Sequence, residues 1–259
     1  MNRIHAPDGT PLVYDAYEPE RPLPPPGEGE GGKGAGDVAV LLLHGWADHA
    51  GQLVGTAERL RDMGVAAYVL DQRGHGRSGG RPVHLTRFSQ LLGDLQAFRR
   101  VVRRRRDVPQ LLVGHGFGGL IVLRYLETQP GEAPLGAVVA NPWLRWRRRP
   151  SWLSRLATRF ADLWPTLATG SGSARMTAGA GAEIGWAQRA VAADAARIES
   201  PILFVLAPDD PVADMDAARQ FASALRPPAP IAPHPDLGAE AIVAFAETAR
   251  SSDPVRKVE

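Results

Sequence analysis

The sequence predicts an α/β fold built on a doubly wound, mostly parallel sheet. Three observations carry this. Strand-length apolar runs alternate with helix-length segments along most of the chain. The run 37–43 is continuously apolar after Asp37, as a central strand buried on both faces requires. A glycine-rich turn at 114–119 joins a short apolar strand to a helix.

The elements follow in order. Residues 11–17 alternate as a strand after an Asp8-Gly9 turn, and 19–36, made of Pro, Gly and charge, form a flexible loop. The strand 37–43 ends in His44-Gly45. A helix over 52–63 leads to a strand at 66–70 that ends at Asp71. A long basic helix over 87–106 precedes a strand at 110–113, a helix over 118–129 and a strand at 135–140. Residues 142–186 break the rhythm. They hold Trp143, Trp146, Trp152 and Trp164, with Trp186 closing the stretch, and a Gly/Ser/Ala tract at 168–182 reads as flexible. This segment is expected to be a cap inserted into a core of 1–141 and 187–259, with Trp143, Trp146 and Trp152 as candidate substrate-binding side chains. A helix near 187–196, a strand at 201–206 and helices near 214–225 and 239–250 complete the pattern.

Lys and Arg number 30 and Asp and Glu 28, a net charge of +2, which gives no case for nucleic acid as the main partner. Arginines cluster locally at 103–106 and 145–149. The absence of cysteine excludes disulfides, thiolate metal ligands and a thiol nucleophile, and no metal site is expected. The N-terminal residues MNRIHAPDGT lack the apolar run of a signal peptide, and no uncharged apolar stretch is long enough to span a bilayer. The expectation is a soluble, cytoplasmic protein.

In a sheet of this kind ligands bind outside the carboxyl ends of the strands. Four strand ends carry candidate chemistry. At His44-Gly45-Trp46 the glycine lets the backbone turn, so that the next N–H can face a developing oxyanion. Gly114-His115-Gly116-Phe117-Gly118-Gly119 has the strand–turn–helix setting of a nucleophile elbow, G-x-S-x-G, with Gly116 at the nucleophile position. The same glycines also read as a phosphate turn, but a dinucleotide site would follow the first strand and carry an acidic residue about 20 residues on. Asp210, after the strand 201–206, can accept the Nδ1–H of a histidine and fix its tautomer. His234 lies before the last helix. The chain order 116, 210, 234 is that of elbow, acid and base in this architecture. Gly76-Arg-Ser78-Gly-Gly80 also spells G-x-S-x-G, but Pro82 follows in place of a helix, so Ser78 reads as a turn residue.

Together these residues resemble the monoglyceride-lipase and lysophospholipase-like branch of the α/β-hydrolase superfamily, also described as serine aminopeptidase S33-like. The resemblance runs through Leu41-Leu-Leu-His-Gly-Trp-Ala-Asp-His49, Asp71-Gln-Arg-Gly-His-Gly-Arg-Ser78, Gly114 to Gly119, Pro201 to Asp214, and His234. It covers most of 8–141 and 187–250. It implies an α/β-hydrolase fold and, in its members, hydrolysis of monoacylglycerols, lysophospholipids or small acyl esters by a Ser-His-Asp triad without a cofactor. Carried over, it makes Asp210 the acid, His234 the base, and the backbone amides of Trp46 and Phe117 the oxyanion donors. The sequence departs from the pattern at Gly116, in a short cap, in the proline-rich strand 227–233 before His234, and in Pro235 after it.

Without an Oγ at position 116 there is no acyl-enzyme route. Glycine is comfortable at an elbow, whose central residue is held in an unfavourable backbone conformation. Three readings follow: an ester hydrolase impaired at its nucleophile; a natural pseudoenzyme that keeps the pocket for an acyl ligand or a protein partner; or an interfacial lipid-binding protein. In the third, the cap (Trp143, Arg145, Trp146, Trp152, Leu153, Arg155, Leu156 and Phe160 among its residues) makes a weak contact with a membrane surface. An ordinary cap helix with a solvated face is the plainer account of the same residues.

Overall fold

A computed structural model describes residues 1–20, 38–128, 133–147, 150–170, 175–233 and 237–252 of the chain. An N-terminal hairpin pairs β1 (Asn2–His5) with β2 (Pro11–Tyr17) across the Asp8-Gly9 turn. The chain then lays down β3 (Ala39–Leu43), α1 (Val54–Asp62), β4 (Ala66–Asp71), α2 (Phe88–Arg105), β5 (Gln110–His115), α3 (Phe117–Thr128) and β6 (Gly136–Ala140). Next come α4 (Trp152–Arg159), a two-residue hairpin of β7 (Ala168–Thr169) and β8 (Met176–Thr177), and α5 (Ala178–Asp194). The chain closes with β9 (Ile202–Leu206), α6 (Met215–Ala224), β10 (Ile231–Pro233) and α7 (Ala239–Ser252).

The sheet has eight strands in the order β1-β2-β4-β3-β5-β6-β9-β10. The ladders from β4 to β10 are parallel, and the hairpin joins antiparallel at one edge. Its neighbours in sequence separate onto two faces, because successive strand side chains point to opposite sides. Leu41 and Leu43 pack with α2, α3, α5 and α6 on one face. Val40 and Leu42 pack with Ala57 and Leu60 of α1 and Ile242 and Ala246 of α7 on the other. This is why 38–43 had to be apolar at every position, and it establishes the expected doubly wound α/β sheet.

Several expectations shift. β1 was not foreseen; among its residues only Ile4 is buried, so it lacks the alternation that marks a strand. The flexible tract expected at 168–182 contains β7, β8 and the first turn of α5, and 171–174 within it lie outside the described residues. Thr177 caps α5 by accepting the Ala180 amide (3.2 Å). The early glycines permit close packing, since a Cβ on Gly179 would stand 3.0 Å from the Pro165 carbonyl and one on Gly181 2.7 Å from Thr158 Cγ2. The helix expected near 187–196 therefore begins at Ala178. The loop foreseen at 19–36 falls almost wholly on 21–37, outside the described residues. β10 is a three-residue edge strand, as its prolines require.

Candidate functional site

The elbow forms where β5 meets α3. Gly116 has φ +54°, the left-handed region that glycine enters at little cost. Its amide donates to the Ala140 carbonyl (2.8 Å), and its carbonyl accepts from Trp143 N (3.0 Å). The flanking glycines leave no room for side chains. A Cβ on Gly114 would lie 2.5 Å from the Gly118 carbonyl carbon, and one on Gly118 would strike the Leu43 carbonyl oxygen. At Gly116 the situation reverses. An added Cβ would meet only Gly45 Cα, at 3.8 Å. The turn is thus shaped around a side chain that the sequence does not supply.

The loop after β3 faces this turn. The Gly118 amide donates to the His44 carbonyl (3.1 Å), and the Trp46 and Phe117 rings meet edge-on with centroids 5.0 Å apart. The backbone N–H groups of Trp46 and Phe117, the candidate oxyanion donors, make no hydrogen bond within the described residues. His44 holds the loop from behind. Its Nδ1–H donates to the Gly45 carbonyl (2.7 Å), and Nε2 accepts from Gln72 N (3.1 Å), so the ring is neutral. Burial pushes its pKa down to about 4. Gln72 returns the contact through Nε2 to the His44 carbonyl (2.6 Å).

The 71–78 turn is a structural brace. Ser78 Oγ donates to the Asp71 carbonyl (2.5 Å) and accepts from Val13 N (2.9 Å), so its hydroxyl is engaged in both roles. The Asp71 carboxylate accepts from Ala50 N and Arg77 Nε, each at 2.7 Å. Arg73 forms a fork with buried Asp94, both bonds at 2.5 Å, and reaches Asp8 through Nη1 (2.8 Å). No feature of the sequence pattern marked Asp94 or Gln72 as partners, because their contacts cross 21 and 28 residues of chain.

Asp210 follows β9, and its Oδ1 accepts from Val212 N (2.8 Å) and Ala213 N (2.7 Å). That is a side-chain turn, and Oδ2 has no partner among the described residues. The segment after β6 straps this loop in place. Trp146 bridges to Ala213, Arg147 N donates to Val212 O (2.8 Å), and Arg145 pairs with Asp214 (2.8 Å). β10 stops at Pro233, in register with Leu206. His234 lies outside the described residues, as do Arg148 and Arg149. The structure thus brings Gly116 together with the Trp46 and Phe117 amides.

Two cavities flank the elbow, and Gly116 lines neither. A polar hollow of about 390 Å³ is bordered by His44, Asp48, His115, Asn141 and Glu240. A groove of about 1210 Å³ opens between α4 and α5. The larger space is therefore not where the elbow is. Trp143 is buried against Phe117 (6.3 Å) and stacks edge-on with Trp146 (4.3 Å), so a run of ring contacts links the elbow residue Phe117 to the groove-lining Trp146. Of the three candidate substrate-contacting tryptophans, only Trp146 lines the groove; Trp152 lies on the outer surface, 70% exposed. Among the described residues no group of three or more His, Asp or Glu is arranged to hold a metal, and no helix is long and apolar enough to cross a membrane.

A family described as serine aminopeptidase, S33, matches residues 35–176. A monoacylglycerol lipase of Mycolicibacterium smegmatis is 36% identical over 125 residues, which is 48% of this chain and 40% of the relative. The matched stretch thus spans less than half the length of that relative. Among solved structures, a monoacylglycerol lipase of Paleococcus ferrophilus superposes with a TM-score of 0.73 at 22% identity, covering 93% of this chain and 99% of that one. A soluble variant of monoglyceride lipase from Saccharomyces cerevisiae, in complex with a substrate analogue, gives 0.73 at 15% identity over 96% and 94%. At these identities the structural likeness speaks for the fold alone.

Proposed function

The chain belongs to the serine aminopeptidase S33 family of α/β-hydrolases, and from that membership we propose that it is a non-acylating member of the monoacylglycerol-lipase-like branch, one that binds a small acyl ligand without forming an acyl-enzyme. The observation that carries this reading is Gly116: the turn keeps its φ of +54° and open space for a Cβ, yet holds no nucleophile. Asp210 as acid, His234 as base and the Trp46 and Phe117 amides as oxyanion donors remain part of the proposal. The amides could still polarise a bound carbonyl. In triads dissected by deletion, such remnants keep about 10³–10⁴-fold catalysis over water.

The Gly116→Ser variant tests the reading. A Cβ there meets only Gly45 Cα, at 3.8 Å, so the variant is expected to fold, at a cost of about 1–2 kcal/mol for its backbone conformation. Ester turnover on p-nitrophenyl butyrate is expected to rise by less than about 100-fold, because a working triad also needs a base seated by a regular strand, and the strand before His234 is broken by proline. A whole triad is worth about 10⁶ in kcat. A gain beyond about 10⁴-fold would identify a hydrolase disabled at one residue and would sink the pseudoenzyme reading.

A second reading concerns a lipid surface. No residue of α4 is buried, and Trp152, Leu153, Leu163, Trp164 and Leu167 are all at least half exposed. Contiguous apolar exposure of this kind marks an interaction surface, and Arg155 and Arg159 supply the cations that an anionic headgroup layer attracts. Co-sedimentation with phosphatidylcholine vesicles containing phosphatidylglycerol should show bound protein, reduced severalfold by Trp152→Ser with Trp164→Ser. Equal binding of this double variant and the parent would dismiss the idea.

A further inference from the structure

The groove between α4 and α5 has a one-signed lining. Among the described residues four arginines face it, Arg145, Arg155, Arg159 and Arg189, and no Asp or Glu does. Arg145 is neutralised by Asp214. Arg155, Arg159 and Arg189 form no ion pair among the described residues. The two helices present these cations in facing rows: Ser151, Ser154, Arg155, Thr158 and Arg159 recur at three- and four-residue intervals on one side, and Gly185, Gln188, Arg189 and Ala192 do so on the other. Like charges lining a cleft focus a positive potential into it and concentrate an anion there. The same lining also carries apolar side chains, Leu144, Trp146, Met176 and Val212, among uncharged polar ones. At about 1210 Å³ the space exceeds that of ordinary small-molecule pockets, which run to about 1,000 Å³.

We propose that this groove is a binding site for a single-chain anionic amphiphile, with its acidic head on Arg155, Arg159 and Arg189 and its alkyl chain along Leu144, Trp146 and Met176. The inference rests on the acyl-binding reading above and names its ligand class. Fatty carboxylates and monoalkyl phosphates share this chemistry. Arginine grips either through paired N–H donors, and a neutral glycerol head offers no such anion. Gly116 does not line this groove, so retention rather than turnover is the expected use. Gly185 gives the groove its opening. A Cβ placed there meets only Arg189 Nη1, at 3.5 Å, so a larger side chain would grow into the groove without striking backbone.

Isothermal titration of the full chain with laurate, dodecyl phosphate and 1-monolaurin, each below its micellar concentration, tests this. At least one anion should bind about tenfold or more tightly than monolaurin. Laurate preferred over dodecyl phosphate assigns a carboxylate ligand, and the reverse a phosphate. Arg155→Gln with Arg189→Gln should bring the anion to within about twofold of monolaurin. Gly185→Leu should abolish binding of all three while the melting temperature holds, since leucine favours a helix more than glycine does. Monolaurin binding as tightly as the anions, or a preference that survives the double substitution, overturns the anionic assignment and leaves acyl binding intact. Failure of all three ligands to bind overturns both.

Discussion

Replacing Asp94 by Ala should destabilise the protein by about 3–5 kcal/mol, the cost of leaving a buried cation without its partner. The Arg73 side chain is only 9% exposed and Asp94 only 3%. Two parallel bonds of 2.5 Å join them, and the exposed Asp8 is the only other anion that Arg73 pairs with among the described residues. The pair ties the 71–78 turn to α2 and to the N-terminal hairpin, so three parts of the sheet edge lose a common anchor. For a chain of this size that cost corresponds to a fall of roughly 10 °C in Tm. Urea unfolding checks the figure. The Arg73→Met, Asp94→Leu double variant should cost less than Asp94→Ala alone, because it removes both charges together. A loss under about 1 kcal/mol for Asp94→Ala would show that the pair is not holding this corner.

Gly118→Ala should be nearly as damaging, and for a different reason. Its Cβ would strike the Leu43 carbonyl oxygen and lie 2.8 Å from the His44 carbonyl, and neither is a side chain that can swing aside. The Gly118 amide bonds to that same His44 carbonyl, so relieving the clash moves α3 away from β3 and displaces the Phe117 amide. Overpacking of this kind costs about 1–3 kcal/mol, and contact with backbone puts it at the upper end. Gly55→Ala is the matched control. Nothing lies within 4 Å of a Cβ there, and the position is helical, so a gain of up to about 1 kcal/mol is expected. Equal stability of the two variants would contradict the packing argument.

Much of this architecture was legible in the sequence because both faces of the central strands had to be apolar. β3, β4, β5, β6 and β9 all lie within two residues of where their runs placed them. Gly116 was legible for the same reason as any elbow: glycines at 114 and 118 are imposed by backbone contacts that tolerate no Cβ, and a Cβ at 119 would stand 3.1 Å from Pro142 Cβ. Ser78 was separable from a nucleophile because no helix follows it, and its hydroxyl is in fact taken up by Asp71 and Val13.

What could not be read involves contacts between distant segments. The start of α5 was hidden because its Gly/Ala composition resembles a linker, and only packing against Pro165 and Thr158 gives those glycines a purpose. Trp143 carried no mark distinguishing it from Trp152. One is sealed against Phe117 and the other faces outward, a difference set by where the strand end leaves the chain. The arginines at 155, 159 and 189 gain meaning only when α4 and α5 stand side by side.

The central claim is that the chain does not acylate at the elbow. Rapid-quench kinetics with p-nitrophenyl acetate, followed by intact-mass measurement of the quenched chain, addresses it most directly. The account predicts no burst of p-nitrophenol and an unchanged protein mass at every time point. A burst approaching one equivalent, with an acetyl adduct on the chain, would contradict it.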